Sequence, residues 1–245
     1  MLDWLLAPID ATRAHDIGIA LSWHARLMVL SWGVLTPVAI LIARFYKIRP
    51  RQKWPQELDN RLWWNAHYMG QTASFVIACI ALVLVLVSGQ NPGAAQWHPV
   101  LGYLVMSLGL LQLVSGLFRG SKGGPTERQA DGSLRGDHYD MSRRRLVFEC
   151  VHKSVGYTTL GLIVFALLTG LWAANAPNWM WLGLGGWVSL LLTVGITLQR
   201  RGRAYDTYQA IWGPDPEHPG NRLPKQGMGV VRPSECARFT QEKAD

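Results

Sequence analysis

The chain has 245 residues, 49% of them hydrophobic, with 12 tryptophans and a formal net charge of +8. Length alone admits one domain or two small ones. The charge would suit nucleic acid, but Lys and Arg collect in alternate links between apolar runs rather than in one patch, so no nucleic-acid partner is expected.

Residues 1–21, opening MLDWLLAPID, lack the basic start and the length of a secretory signal. They read as an outer-face N-terminal segment holding a short interfacial helix. Five apolar runs then follow at 23–44, 66–89, 98–118, 147–171 and 181–199. Each has about the twenty residues that a helix needs to cross a hydrocarbon core of about 30 Å. Backbone polar groups in lipid must be satisfied within the segment, so each run is predicted to be helical. Five such runs with short links exclude a soluble core. Pro37 is predicted to bend the first helix. Gly102, Gly109 and Gly116 recur every seventh residue in the third run, and Gly156, Gly161 and Gly170 punctuate the fourth, which suits close helix packing.

The links sort by charge. The first holds Arg44, Lys47, Arg49, Arg51, Lys53 and Arg61; the third holds Arg119, Lys122, Arg128, Arg135 and Arg143–Arg145; the end of the chain is basic again. Links 90–97 and 172–180 carry no Lys or Arg, and residues 1–22 carry only Arg13. This positive-inside pattern predicts an N-terminus outside and a cytoplasmic C-terminus. Trp23, Trp32, Trp63, Trp64, Trp97, Trp172, Trp179 and Trp181 mostly flank the runs as an aromatic belt would. Residues 120–145 form a long loop rich in Gly and charge, and 200–245 read as an extended, Pro- and Gly-rich cytoplasmic tail, with a partner dock as the sharper reading. Cys79, Cys150 and Cys236 imply no disulfide framework, and no C-x-x-C-H haem attachment occurs.

Four of the seven histidines lie near run ends. His24 and His98 open the first and third runs; His67 and His152 open the second and fourth. Consecutive membrane helices run in opposite directions, so His24 is expected level with His98 on one face, and His67 level with His152 on the other. Intramembrane imidazoles are costly and mark function. A zinc site needs convergent ligands, and pairs at opposite ends of an about 30 Å span cannot meet on one ion. Two bis-His haems satisfy the placement, with the four histidines as iron ligands. Gly102 and Gly156 each follow a ligand by four residues on the same helix face, leaving room for a flat macrocycle. Arg26 and Lys153 are placed to neutralise haem propionates, with interfacial snorkelling as the alternative. Gln71 and Gln112 either bridge helices or line a haem pocket.

The segments W-H-A-R-L-M-V-L-S-W-G, W-W-N-A-H-Y-M-G-Q, H-P-V-L-G-Y-L-V-M-S-L-G and H-K-S-V-G-Y resemble successive core helices of the cytochrome b561 family, in particular its bacterial and DOMON-fused members. The resemblance covers about residues 22–172. It implies two non-covalent b-type haems, His24 pairing with His98 and His67 with His152, and electron transfer across the membrane. Two departures stand out. The ascorbate-using members have a sixth helix, before the first found here. They also have a Lys just before the second ligand, where this chain has Asn65.

The expected architecture is therefore all-α: an integral membrane bundle of five helices over 22–199, with a four-helix core around two haem b groups. Its expected place is a bacterial inner membrane, with the lipid bilayer and a quinone or redox protein as partners and a homodimer left open. The expected function is transmembrane electron transfer. The alternatives are a haem-bearing membrane anchor for a dehydrogenase, and an oxidoreductase acting on a quinone, superoxide or ferric iron at a haem edge.

Overall fold

A computed structural model of the chain describes residues 1–15, 17–89, 96–119, 127–128, 134–135 and 143–233. Five helices are long and apolar enough to cross a membrane: Ile19–Phe45, Leu62–Ser88, Trp97–Leu117, Arg143–Ala173 and Asn178–Arg200. The all-α, five-span expectation holds. The helices overrun the apolar stretches, most clearly the fourth, whose first turn is Arg143–Arg145. Hydropathy registers only the part facing hydrocarbon, whereas the backbone stays helical into the polar interface. Val83, Leu86, Leu110, Phe165 and Leu192 are each more than half exposed. In water that would be a liability; against lipid it matches the solvent.

The first membrane helix is irregular where Pro37 predicts it. α-Helix gives way to a π-helical stretch, Val29–Leu35, and resumes at Thr36. Pro37 has no N–H to offer the Gly33 carbonyl four residues back. The Trp187 indole N–H of the fifth helix donates to that carbonyl instead, at 2.7 Å. The Ser31 carbonyl takes the Thr36 N–H and the Ser74 hydroxyl (2.8 Å). Gln71 donates to the Thr36 carbonyl at 3.1 Å, so this amide bridges helices.

The chain divides into two compact units, Met1–Ala39 with Met69–Leu113 and Val155–Val194, and Ile40–Tyr68 with Val114–Ser154 and Gly195–Asp245. The first has an apolar core of Trp32, Ala78, Val105, Met106 and Ile163, bordered by Phe75, Leu82 and Leu167. Gly109 makes room for it: a Cβ there would sit 2.6 Å from Cη2 of Trp32. The N-terminal segment clasps the turn after the fourth membrane helix. The amide of Asn175 accepts from Asp10 N–H and donates to the carbonyls of Asp10 and Arg13. Asn178 donates to the Trp4 carbonyl. The short helix Leu2–Leu6 keeps Leu2, Trp4 and Leu6 exposed.

In the second unit residues 201–233 are folded, contrary to the expectation of an extended tail for that part. Helix Thr207–Trp212 is buried along its whole length. Asp206 caps it, its carboxylate accepting from the N–H groups of Tyr208 (2.9 Å) and Gln209 (3.2 Å). Trp212 stacks between Tyr208 and His218. A Cβ on Gly220 would fall 2.3 Å from that indole. Gly and Pro here permit close approach and tight turns, so a composition that suggests disorder encodes packing. Of the 120–145 loop, Arg143–Arg145 belong to the fourth membrane helix instead, and a two-residue antiparallel ladder, Glu127–Arg128 with Leu134–Arg135, is described. The remaining expectations for that loop, and those for Cys236 and residues 234–245, lie outside the described residues.

Candidate functional site

The first unit brings His24 and His98 together. Their ring centres are 6.2 Å apart and their planes nearly perpendicular, at 89°. His24 Nδ1 lies 2.8 Å from the Ala81 carbonyl, and His98 Nδ1 3.1 Å from the Ala166 carbonyl. A carbonyl only accepts, so each Nδ1 carries the proton and each Nε2 lone pair remains for a ligand. Gly170 seats the His98 ring; a Cβ there would stand 2.9 Å from its Cε1. Beside it, Gly102 faces open space.

The second unit brings His67 and His152 together at 6.3 Å, with planes at 77°. Ser115 Oγ lies 3.3 Å from His152 Nδ1, and Phe148 packs on the same ring at 4.9 Å. Trp64 sits 6.4 Å from the His67 ring, and the Arg119 guanidinium lies over the Trp64 ring at 3.6 Å. Burial, reinforced by Arg145, draws Arg119 down to about 10. Among the described residues no three His, Cys, Asp or Glu side chains gather as a metal cluster; the imidazoles come in twos.

The other expected site residues are placed less uniformly. Gly156 leaves a Cβ-sized space 3.8 Å from the Gln112 amide. Arg26 is exposed, donating to Ser22 and lying over Trp23, with no described contact to either histidine pair. Lys153 pairs with Glu149 at 2.6 Å and donates to the Gln226 carbonyl.

Glu149 is the hub of a buried network that the sequence reading passed over. It takes Lys153, Arg145 (3.3 Å) and the Tyr208 hydroxyl (3.0 Å), and Arg145 Nε donates to that same hydroxyl. Burial and the Glu149 carboxylate push the Tyr208 phenol up. The i,i+4 spacing of Arg145, Glu149 and Lys153 is visible in the sequence; Tyr208, some sixty residues on, is not.

Residues 23–126 match the family model described as eukaryotic cytochrome b561. The chain belongs to the cytochrome b561 family. Among curated relatives, human ferric-chelate reductase 1 is 26% identical over 79% of this chain and 30% of its own length. The mouse ferric-chelate reductase 1 is 30% identical over 60% of this chain and 22% of its own. An Arabidopsis thaliana protein with cytochrome b561, DM13 and DOMON domains is 26% identical over 79% of this chain and 20% of its own. The chain thus spans less than a third of the length of these relatives. No solved structure matches it. A cytochrome b561 domain implies haem b as cofactor, and the five helices make a multi-pass membrane protein. These relatives are animal and plant proteins, so they lend no support to a bacterial inner membrane.

Proposed function

We propose that this cytochrome b561 protein carries electrons across a membrane through two b-type haems, one held by His24 and His98, the other by His67 and His152. The observation that carries the reading is the spacing of the two pairs. Two imidazoles holding one metal ion between them, at a metal–nitrogen distance of about 2.0 Å, would have ring centres roughly 6.2 Å apart. The pairs stand at 6.2 and 6.3 Å. Glycine at 102 and 156, one turn from a ligand, supports the same fit.

When bound, haem supplies a reversible one-electron couple. The chain's own residues do the rest. The carbonyls of Ala81 and Ala166 fix the ring orientation and tautomer of His24 and His98. Trp32, Phe75, Met106 and Ile163 keep water from the interior of that unit. Arg119 and Lys153 offer positive charge on the His67–His152 side. The alternation of basic and neutral links supports a cytoplasmic C-terminus, which makes His67–His152 the inner pair.

The test is haem quantification with a redox titration of the purified protein. The expected result is two haems per chain, falling to one in His98→Ala, with the spectrum of the remaining centre unchanged. A protein without b-type absorption, or with one haem before mutation, overturns the reading. The names of the human and mouse relatives favour a ferric chelate as terminal acceptor. Rapid reoxidation of the reduced protein by ferric citrate, without a partner protein, would support this; no reoxidation would exclude it.

A further inference from the structure

A small open cleft in the second unit has no part in the electron-transfer scheme. Among the described residues lining it, Arg61, Arg119 and Arg145 stand against one carboxylate, Asp59. Arg61 comes just before the second membrane helix, Arg119 follows the third, and Arg145 lies in the first turn of the fourth. The tail helix Thr207–Trp212 lines a further side. The charges do not cancel inside the cleft. Asp59 accepts from Arg61 Nε at 3.3 Å. Arg145, 7% exposed, is taken by Glu149 and the Tyr208 hydroxyl. Arg119 is partly buried, its guanidinium 3.6 Å above the Trp64 ring. Among the described residues no carboxylate or other acceptor takes its N–H groups. A guanidinium carries five donors in a planar fork, and withdrawing such a charge from water without an acceptor is costly. Lining an open cleft with two more guanidiniums beside it, this fork is placed for an oxyanion.

The surroundings say which oxyanion. Leu62, next to Arg61, and Leu117 and Phe118, next to Arg119, are large apolar side chains left exposed. Trp63 and Trp64 line the cleft as well, and indoles favour the headgroup level of a bilayer. Arginines with exposed apolar neighbours, at the ends of three membrane spans, suit a headgroup whose acyl chains run along the helices better than a free ion from water. We propose that this cleft binds the phosphate of an anionic phospholipid, with Arg119 as its main hydrogen-bond donor and Arg61 and Arg145 supplying charge. The Arg119 fork can hold two phosphate oxygens at once, with the acyl chains against Leu117 and Phe118. Lipid at this site would tie the ends of the second, third and fourth spans to the tail helix. The proposal does not depend on the haem reading.

The experiment is native mass spectrometry of the full-length holoprotein in detergent, titrated with dioleoylphosphatidylglycerol or with dioleoylphosphatidylcholine. Melting temperature is followed in parallel with each lipid and with inorganic phosphate alone. Wild type, Arg119→Gln and Arg201→Gln are compared; Arg201, exposed just after the fifth helix, carries the same charge outside the cleft. Wild type should retain one phosphatidylglycerol at least about tenfold more tightly than phosphatidylcholine, the ratio expected of hydrogen bonds from a charged donor. Arg119→Gln should lose that preference and Arg201→Gln should keep it. Arg61→Gln, on an exposed side chain, should weaken it, and decides the matter if Arg119→Gln does not fold. Equal retention of the two lipids by wild type overturns the proposal, and is also the result if a carboxylate of the bound cofactor occupies Arg119. Equal loss in Arg201→Gln overturns it too, since the basic face would then act only as a diffuse field. A melting temperature raised by inorganic phosphate but not by the lipid assigns the cleft to a free oxyanion and equally overturns it.

Discussion

At the scale of single residues, glycines and one lysine do what larger motifs do elsewhere. Gly170→Ala places a methyl 2.9 Å from His98 Cε1. We expect it to displace the ring from the Ala166 carbonyl and to perturb one haem spectrum while sparing the other. Gly109→Ala meets Trp32 instead, and overpacking of this kind costs about 1–3 kcal/mol, measurable as a lower melting temperature in detergent. Lys47 carries a pH signature of its own. Its folded value of about 7 lies below the ordinary 10.5, so the unfolded chain binds that proton more tightly. Stability then declines as pH falls from about 10.5 to about 7 and levels off below. Lys47→Met should therefore resist heat better than wild type at and below neutrality, with the advantage fading toward alkaline pH; an advantage constant with pH would contradict the argument. The four histidines are legible in the sequence because an imidazole in a membrane run is expensive. The carbonyls that orient two of them are not, since Ala81 and Ala166 act through backbone atoms that no side-chain pattern reports.

At the scale of the elements, five apolar stretches suffice to give the number and type of helices, because lipid leaves the backbone no other way to satisfy its polar groups. The interior of the first helix is only half legible. Pro37 announces a broken hydrogen bond; the partner that repairs it, Trp187, lies in a different helix and reads in the sequence as one more membrane tryptophan. Trp187→Phe should cost about 1 kcal/mol, the scale of an interhelical hydrogen bond in a membrane. Pro37→Ala returns an N–H to Gly33, so the double variant should lose less than the sum of the singles. Strict additivity of the two changes in melting temperature would count against this account.

At the scale of the whole chain, the segment 201–233 proves to be part of the folded protein, held by Tyr208 against Glu149 and by the Asp206–Arg232 pair. Helix Thr207–Trp212, buried along its whole length, is not itself available as an exposed dock. Glu149→Gln leaves Arg145 and Lys153 without their carboxylate, a loss of about 3–5 kcal/mol for a broken buried pair. Chemical denaturation should show it as a lowered midpoint; an unchanged midpoint would mean that the network is solvated. The Trp187–Gly33 bond joins the first span to the last. The ribosome releases the fifth helix long after the first has entered the bilayer, so throughout synthesis one carbonyl waits in hydrocarbon for a donor that has not yet been made. A nascent chain truncated before that indole would leave the first helix incompletely satisfied, so this domain should mature only once its final span has been inserted.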